Sequence, residues 1–264
     1  MTMLELDTIY NEDCLQGMQR IPDGTIDLTV TSPPYDNLRT YNGYCFDFEN
    51  IAKELYRVTK QGGVVVWIVG DATIEGDETC TSFRQALFFR EVGFKLLDTM
   101  IYIKENYAPM YPSARRYANQ FEYMFVFSKG KHNTFNPVQR QKARNRRESV
   151  AYRQKDGSLQ RKIKEEGRET KDASNVWYYS VGGNSSKDDI AFEHPAIFPE
   201  LLAADHINSW SNEGDVVLDP FMGSGTTAKV ARALNRHYIG FEISAEYCEI
   251  IRKRLEQTKT LFDL

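Results

Sequence analysis

The chain has 264 residues, a hydrophobic fraction of 41% and a formal net charge of −4 at pH 7. This length suits one large domain, or one domain that carries a sizeable insertion, and the hydrophobic fraction is sufficient for a buried core. The net acidity argues against a simple polyanion binder, and the sequence lacks the apolar run of ~20 residues that spans a bilayer. The opening MTMLELDTIY has no basic segment followed by an apolar run, so we expect a cytoplasmic protein without a secretory signal.

The cysteines give no sign of a metal site. They are scattered along the chain, without a CxxC pair or a neighbouring histidine, at Cys14, Cys45, Cys80 and Cys248. This spacing argues against zinc binding and is typical of reduced thiols in small core positions. We therefore predict no metal.

Strand-like and helix-like segments alternate in the first part of the chain. The short runs are β-branched and bounded by turn residues, and the longer ones are amphipathic. We predict strands over 25–31 (TIDLTVT) and 63–70 (GVVVWIVG) and helices over 48–60 and 81–92. Two longer extended runs, 95–104 and 120–129, follow without an intervening helix, which predicts an antiparallel pair at one edge of the sheet.

The stretch from 131 to 190 differs in composition. Between Arg140 and Lys171 it holds twelve Lys or Arg against five Asp or Glu, and it lacks sustained apolar periodicity. We interpret it as a basic insertion that separates residues 1–130 from residues 191–264.

The regular pattern returns after the insertion. A helix is predicted over 194–211 with Pro199 in its first turn, followed by strands DVVLD (215–219) and HYIGFE (237–242) and a helix over 244–257. The alternation through the chain predicts an α/β fold with a doubly wound, mostly parallel sheet.

A glycine-bearing turn in LDPFMGSGTTAKVARAL (218–234) indicates a ligand site. A strand ends on Asp219 and a helix begins near Thr226, and ligands of open α/β sheets bind beyond the carboxyl ends of the strands. The GxxxxGK[ST] pattern of a phosphate loop is absent. The next strand ends on Glu242, about 20 residues on, where an acidic residue accepts hydrogen bonds from ribose hydroxyls. A nucleoside-like ligand is expected, although such a turn also occurs as a plain strand–helix connection.

A rigid turn follows the first predicted strand. Proline fixes φ and lacks an N–H, so Ser32-Pro33-Pro34-Tyr35 forms a stiff corner whose carbonyls have no internal partner. The Ser32 hydroxyl and the Pro33 carbonyl can both accept from one NH₂ group, and Tyr35 offers a face for stacking on a base. Such acceptors favour tetrahedral geometry at an exocyclic amine and expose its lone pair as a nucleophile. The alternative is a structural Pro-Pro turn with a surface tyrosine.

TSPPY and DPFMGSGTT together resemble the amino-group DNA methyltransferases, which use S-adenosylmethionine. The catalytic motif precedes the cofactor motif, as in the β class of that family. Three further segments are similar to the family: Asn11–Cys14 to its acidic segment, 101–129 to its target-base pocket, and 175–177 with 194–202 to its approach to the cofactor loop. The resemblance implies a Rossmann-like fold in which the basic insertion is the target-recognition region.

The resemblance also implies residue roles. The catalytic residues would be Ser32, Pro33, Pro34 and Tyr35. Cofactor contacts would fall on Asp13, Asp219, Phe221, Gly223, Ser224, Gly225, Thr226 and Glu242, with His194 and Pro195 at the methionine end. Phosphate contacts would come from Arg140, Arg144, Arg146 and Arg147, although a solvated run of charge is an alternative for each of them.

The implied reaction is methylation of an exocyclic amine in duplex DNA after the base is flipped out. Cytosine C5 chemistry is excluded because the sequence has no Pro-Cys dipeptide to supply its nucleophile. SPPY is more similar to the N4-cytosine enzymes, so we expect cytosine N4 and keep adenine N6 as the alternative. Methylation of another amine and a non-catalytic DNA-binding module are less favoured readings. A homodimer and a separately acting companion restriction endonuclease are compatible with the family, and the protein would be bacterial, archaeal or phage-encoded.

Overall fold

The computed structural model describes residues 4–34, 46–107, 115–141, 149–163, 170–182, 190–191 and 199–257. The chain divides into two compact units, one of residues 1–136 with 175–264 and one of residues 137–174. The smaller unit lies within the predicted insertion. It contains two antiparallel ribbons, formed by β8 (Gln139–Gln141) with β11 (Thr170–Asp172) and by β9 (Ser149–Arg153) with β10 (Leu159–Ile163).

The larger unit is built around an eight-stranded sheet in the order β1-β14-β13-β2-β3-β7-β6-β12. Only β7 runs antiparallel to its neighbours. The strands are β1 Thr8–Tyr10, β2 Ile26–Thr31, β3 Thr59–Val69, β6 Lys95–Lys104, β7 Phe121–Ser128, β12 Val176–Tyr179, β13 Val216–Asp219 and β14 His237–Phe241. A two-residue hairpin, β4 (Thr73–Ile74) with β5 (Asp77–Glu78), follows β3.

Helices cover both faces of this sheet. They are α1 Cys14–Met18, α2 Phe48–Val58, α3 Thr81–Val92, α4 Glu200–Trp210, α5 Thr226–Ala233 and α6 Ala245–Gln257. Phe125 packs in one core cluster with residues of α1, α2 and α3. Its neighbour Met124 points to the opposite face, because successive strand residues alternate, and contacts His206 of α4. The predicted Rossmann-like α/β fold is therefore confirmed.

Two details of the prediction need correction. The runs 95–104 and 120–129 do pair antiparallel, as β6 and β7, but they do not form the sheet edge. The edge strand on this side is β12, which pairs parallel with β6. Its four residues alternate in burial, but so short a pattern does not predict a strand from the sequence, least of all next to the basic stretch. Pro199 precedes the first residue of α4 and does not lie within its first turn.

The aromatic core explains why the strand ends are fixed. Trp67 of β3 is fully buried, and its indole N–H donates to Gln85 Oε1 at 2.8 Å. Phe89 packs edge-on against Trp67 and stacks on Phe127. Rigid, well-packed side chains of this size hold β3 and β7 in one register. Among the helices of the described ranges, none is long and apolar enough to cross a membrane.

Candidate active site

Five parallel strands place the sequence-predicted loops at one rim. The strands β1, β14, β13, β2 and β3 run in the same direction, so their carboxyl ends lie side by side. The diproline turn, Ser32-Pro33-Pro34, follows β2, the glycine loop, residues 220–225, follows β13, and Glu242 follows β14. Because β13 lies between β14 and β2, these three features are neighbours in space.

A direct hydrogen bond joins the end of β2 to the end of β13, where the diproline turn and the glycine loop begin. The Thr31 hydroxyl donates to Asp219 Oδ1 at 2.6 Å, and both residues are buried. The Thr227 hydroxyl, in the first turn of α5, donates to the Val30 carbonyl of β2 at 3.2 Å. Ser32 and Pro33 come directly after Thr31, and Pro33 is buried. The start of the predicted catalytic turn and the end of β13 are thus held together by side chains of β2 and α5.

The glycine loop has a backbone that requires glycine. Gly223 and Gly225 have φ of 53° and 81°, in the left-handed region that other residues rarely adopt. A Cβ on Gly225 would also lie 2.7 Å from Ile251 Cγ2. The loop therefore passes close to α6.

Glu242 holds the other side of this loop. Its Oε2 accepts from the Gly223 N–H at 2.9 Å, and its Oε1 accepts from the Ser244 N–H at 2.9 Å. The residue is only 9% exposed, and burial raises the pKa of its carboxyl. Asn11 ties β1 to the same place, because its amide donates to the Glu242 carbonyl at 2.8 Å. Each carboxylate oxygen keeps a second lone pair for a ligand hydroxyl.

Asp219 is a buried carboxyl with unused acceptor capacity. It is 1% exposed, and its Oδ1 accepts from Thr31 and from the Phe221 N–H at 3.0 Å. Its Oδ2 has no hydrogen-bond partner among the described residues. Burial raises the pKa of this carboxyl to about 6. A buried acceptor without a partner is costly, so a ligand that brings a cationic N–H donor to Oδ2 fits this position.

The remaining described cofactor candidates have structural contacts of their own. Phe221 packs edge-on against Phe46, at a centroid distance of 5.6 Å, and against Trp67 at 6.2 Å. Asp13 is the N-cap of α1, where its carboxylate accepts from the Leu15 and Gln16 N–H groups. These contacts fix both residues near the rim without excluding a ligand contact.

Arg254 is a site residue that the sequence interpretation missed. Its side chain is fully buried, and its guanidinium donates to the Ser224 carbonyl, to Ser224 Oγ at 3.1 Å and to Glu200 Oε1 at 2.8 Å. The Lys229 ammonium donates to the same Glu200 oxygen at 2.8 Å. The glycine loop is therefore held from the protein interior by Arg254 and from the rim by Glu242. One signal existed in the sequence: Arg254 lies three residues after Ile251, on the apolar stripe of α6.

Some predicted site residues fall outside the described part of the chain. These are Tyr35, His194, Pro195, Arg144, Arg146 and Arg147, and their roles stay predictions. Arg140 is described and lies exposed on β8 of the smaller unit. Within the described ranges, no group of three or more His, Cys, Asp or Glu is arranged to hold a metal ion. Cys14 and Cys248 are buried, and burial raises the pKa of the Cys248 thiol to about 11.

Comparison with known proteins gives a consistent result. A family model described as DNA methylase, N6_N4_Mtase, matches residues 26–253. The orphan methyltransferase M.BamHII of Bacillus amyloliquefaciens is 57% identical over 244 residues, covering 90% of this chain and 91% of that protein. The type II methyltransferase M.HinfI of Haemophilus influenzae is 29% identical over 283 residues, covering 96% of this chain and 69% of that protein.

Solved structures show the same fold at lower identity. The PvuII DNA methyltransferase, a cytosine-N4-specific enzyme, superimposes with a TM-score of 0.69 at 21% identity, over 96% of this chain and 87% of that one. The complex of M1.HpyAVI with S-adenosylmethionine superimposes with a TM-score of 0.61 at 24% identity, over 94% and 99% of the two chains.

Proposed function

Because the chain belongs to the N6/N4 family of DNA methylases, which use S-adenosylmethionine, we propose that it methylates the exocyclic N4 amine of cytosine in duplex DNA. The observation that carries this proposal is the 2.6 Å hydrogen bond from Thr31 to Asp219, which joins the strand ends from which the diproline turn and the glycine loop begin. A methyl donor held by one loop would lie next to an amine held by the other. Alignment of this kind is the main requirement of the reaction.

The glycine loop and its neighbours would hold the cofactor. Glu242 would accept from the ribose hydroxyls with the free lone pairs of its two oxygens, and Asp219 Oδ2 would accept from the ammonium of the methionine moiety. Gly223, Ser224, Gly225 and Thr226 would let the backbone approach closely. Phe221 would line the site, Asp13 would lie towards the adenine, and His194 with Pro195 would lie at the methionine end. S-adenosylmethionine supplies a methyl group that its sulfonium already activates.

The diproline turn would hold the acceptor. The Ser32 hydroxyl and the Pro33 carbonyl would accept hydrogen bonds from the NH₂ group, Pro34 would keep the corner rigid, and Tyr35 would stack on the flipped base. Two acceptors on the amine hydrogens would draw its lone pair out of conjugation with the ring. The nitrogen would then be oriented as a nucleophile towards the methyl carbon.

Cytosine is favoured over adenine by the first residue of the motif. Ser32 is a neutral acceptor where an aspartate would be charged, and SPPY is more similar to the N4-cytosine enzymes. Adenine N6 presents the same type of NH₂ group and is the second candidate. Incubating the protein and S-adenosylmethionine with random duplexes, followed by nucleoside mass spectrometry, separates the two. N4-methylcytosine is expected, N6-methyladenine alone would reassign the base, and neither product would refute the proposed function.

The smaller unit would read the DNA. It spans residues 137–174, which lie in the basic stretch, and Arg140 is exposed on its β8 strand. Arg144, Arg146 and Arg147 would add phosphate contacts, so affinity would fall as salt rises. The 57% identical relative is named an orphan methyltransferase, which supports a function that needs no companion endonuclease. A homodimer stays a family-based prediction.

A further inference from the structure

A short segment at the rim carries two side chains that the fold does not use. Residues 115–120 immediately precede β7, which begins at Phe121. Because β7 runs antiparallel to β3, its first residues lie at the rim where β3 and β2 end. Two inter-strand spacings of about 4.8 Å separate β2 from β7. Phe125 is level with Thr31, and Phe121 lies four residues, about 13 Å, further along, so the segment begins about 16 Å from the end of β2.

Tyr117 and Arg115 point away from the protein. The Tyr117 side chain is 96% exposed, and Arg115 is also exposed. Neither makes a hydrogen bond, an ion pair or a ring contact with the residues that the structure describes. Tyrosine normally buries much of its ring, so a nearly bare tyrosine beside a free cation is available for a partner with aromatic and anionic groups.

The residue between them anchors the segment. The Arg116 guanidinium donates to Glu78 Oε1 at 2.7 Å and to the Thr73 hydroxyl, both on the β4–β5 hairpin. This fork holds the backbone of the segment to the hairpin while its two neighbours stay free. A fixed backbone reduces the ordering cost when the exposed side chains bind.

We propose that Tyr117 stacks within the DNA duplex beside the flipped nucleotide and that Arg115 contacts an adjacent phosphate. Extruding a base exposes the faces of its former stacking neighbours, and an aromatic ring covers such faces well. Duplex DNA offers a base face on which Tyr117 can stack and a phosphate with which Arg115 can pair. The inference rests on the proposed function, because it requires a duplex with an extruded base at the rim.

The test compares Tyr117→Ala with the wild type on two duplexes. The first has a fully paired target base, at the site found by sequencing methylated random duplexes, and the second has the same base in a mismatch. We expect kcat/KM of the variant to fall about tenfold on the paired duplex, because a stacking contact is lost. The loss should be much smaller on the mismatched duplex, whose base costs less to extrude. Tyr117→Phe should behave like the wild type.

Control measurements separate this role from a structural one. Leu87→Ala removes another exposed apolar side chain, 58% accessible and in the middle of α3, and should leave kcat/KM unchanged on both duplexes. The affinity of Tyr117→Ala for S-adenosylhomocysteine and its melting temperature should match the wild type. Arg115→Ala should reduce the salt slope of DNA affinity by about one.

The outcomes are distinct. An unchanged kcat/KM in Tyr117→Ala, or an equal loss on both duplexes, would overturn the stacking role. A change of molecular mass in light scattering with unchanged kinetics would assign the residue to a contact between copies and would also overturn it. If the wild type methylates no duplex at all, the proposed function fails and this inference fails with it.

Discussion

The buried carboxyl of Asp219 predicts that cofactor affinity depends on pH. Burial raises its pKa to about 6 from an ordinary value of 3.8, and only the ionised form can pair with a cationic ammonium. The dissociation constant should then scale as one plus the ratio of protonated to ionised carboxyl. Relative to pH 8, it should rise about twofold at pH 6 and about elevenfold at pH 5.

The assay is calorimetric titration with S-adenosylhomocysteine between pH 5 and pH 8. Asp219→Asn should bind more weakly at pH 8 and lose most of the pH dependence, because its side chain does not ionise. Glu242, whose pKa burial also raises, would account for any slope that the variant retains. A wild-type dissociation constant that stays level from pH 8 to pH 5, or an equal slope in the variant, would refute the assignment of Asp219 to a cationic partner.

The Asp219 carboxyl should also make the stability of the unliganded protein depend on pH, in the direction opposite to that of cofactor affinity. Because the folded pKa is higher than the unfolded one, the folded state binds the proton more tightly, and stability should increase as pH falls from about 6 towards 3.8. At neutral pH the ionised form costs about 3 kcal/mol of unfolding free energy. Asp219→Asn should therefore melt at a higher temperature than the wild type at pH 8 without ligand, and a lower melting temperature would contradict this reasoning.

Four further variants test the contacts at the rim. Thr31→Val removes the hydroxyl that donates to Asp219 and nearly keeps the side-chain volume, so S-adenosylhomocysteine should bind about tenfold more weakly at pH 8. Unchanged affinity in calorimetry would contradict the role of this hydrogen bond. Arg254→Met should lower the unfolding free energy by about 1–3 kcal/mol and weaken cofactor binding, because the Ser224 carbonyl loses its buried donor while Glu200 keeps Lys229. Arg232→Met removes a bond from α5 to the Leu255 carbonyl and should have little effect on either quantity; equal effects of the two variants in denaturation and titration would contradict the role of Arg254 in the glycine loop. Glu242→Ala should weaken cofactor binding in the same titration, and an unchanged dissociation constant would contradict the ribose contact. Tyr35→Ala should abolish turnover in a methyl-transfer assay and spare cofactor affinity, and a collapse of that affinity would contradict the separation of the two loops.

The main sheet was readable from the sequence because its central strands carry continuous β-branched runs. IDLTVT and VVVWIV are buried on both faces, and such runs are typical of parallel strands. The rim followed from the turn residues, since Ser32-Pro33-Pro34 and Gly223-Ser224-Gly225 each interrupt such a strand. Local chemistry was sufficient in both cases.

Contacts that depend on tertiary packing were not readable. The three residues of β1 and the four of β12 are too short to show an alternating hydrophobic pattern. They form strands because their backbones pair with β14 and β6. Arg254 was not identified from the sequence, because arginine is rarely fully buried. Its burial depends on Glu200 and Ser224, which lie 54 and 30 residues away in the sequence.

The position of β13 between β2 and β14 determines when this protein becomes functional during synthesis. Thr31 and Asp219 are 188 residues apart, so β2 emerges from the ribosome long before its sheet neighbour exists. Until then, one side of β2 is an unpaired edge with apolar side chains, which is a site for chaperones or aggregation. A nascent chain that ends before β14 (His237–Phe241) therefore cannot assemble the rim, and such truncated products should not methylate DNA and should depend on folding assistance.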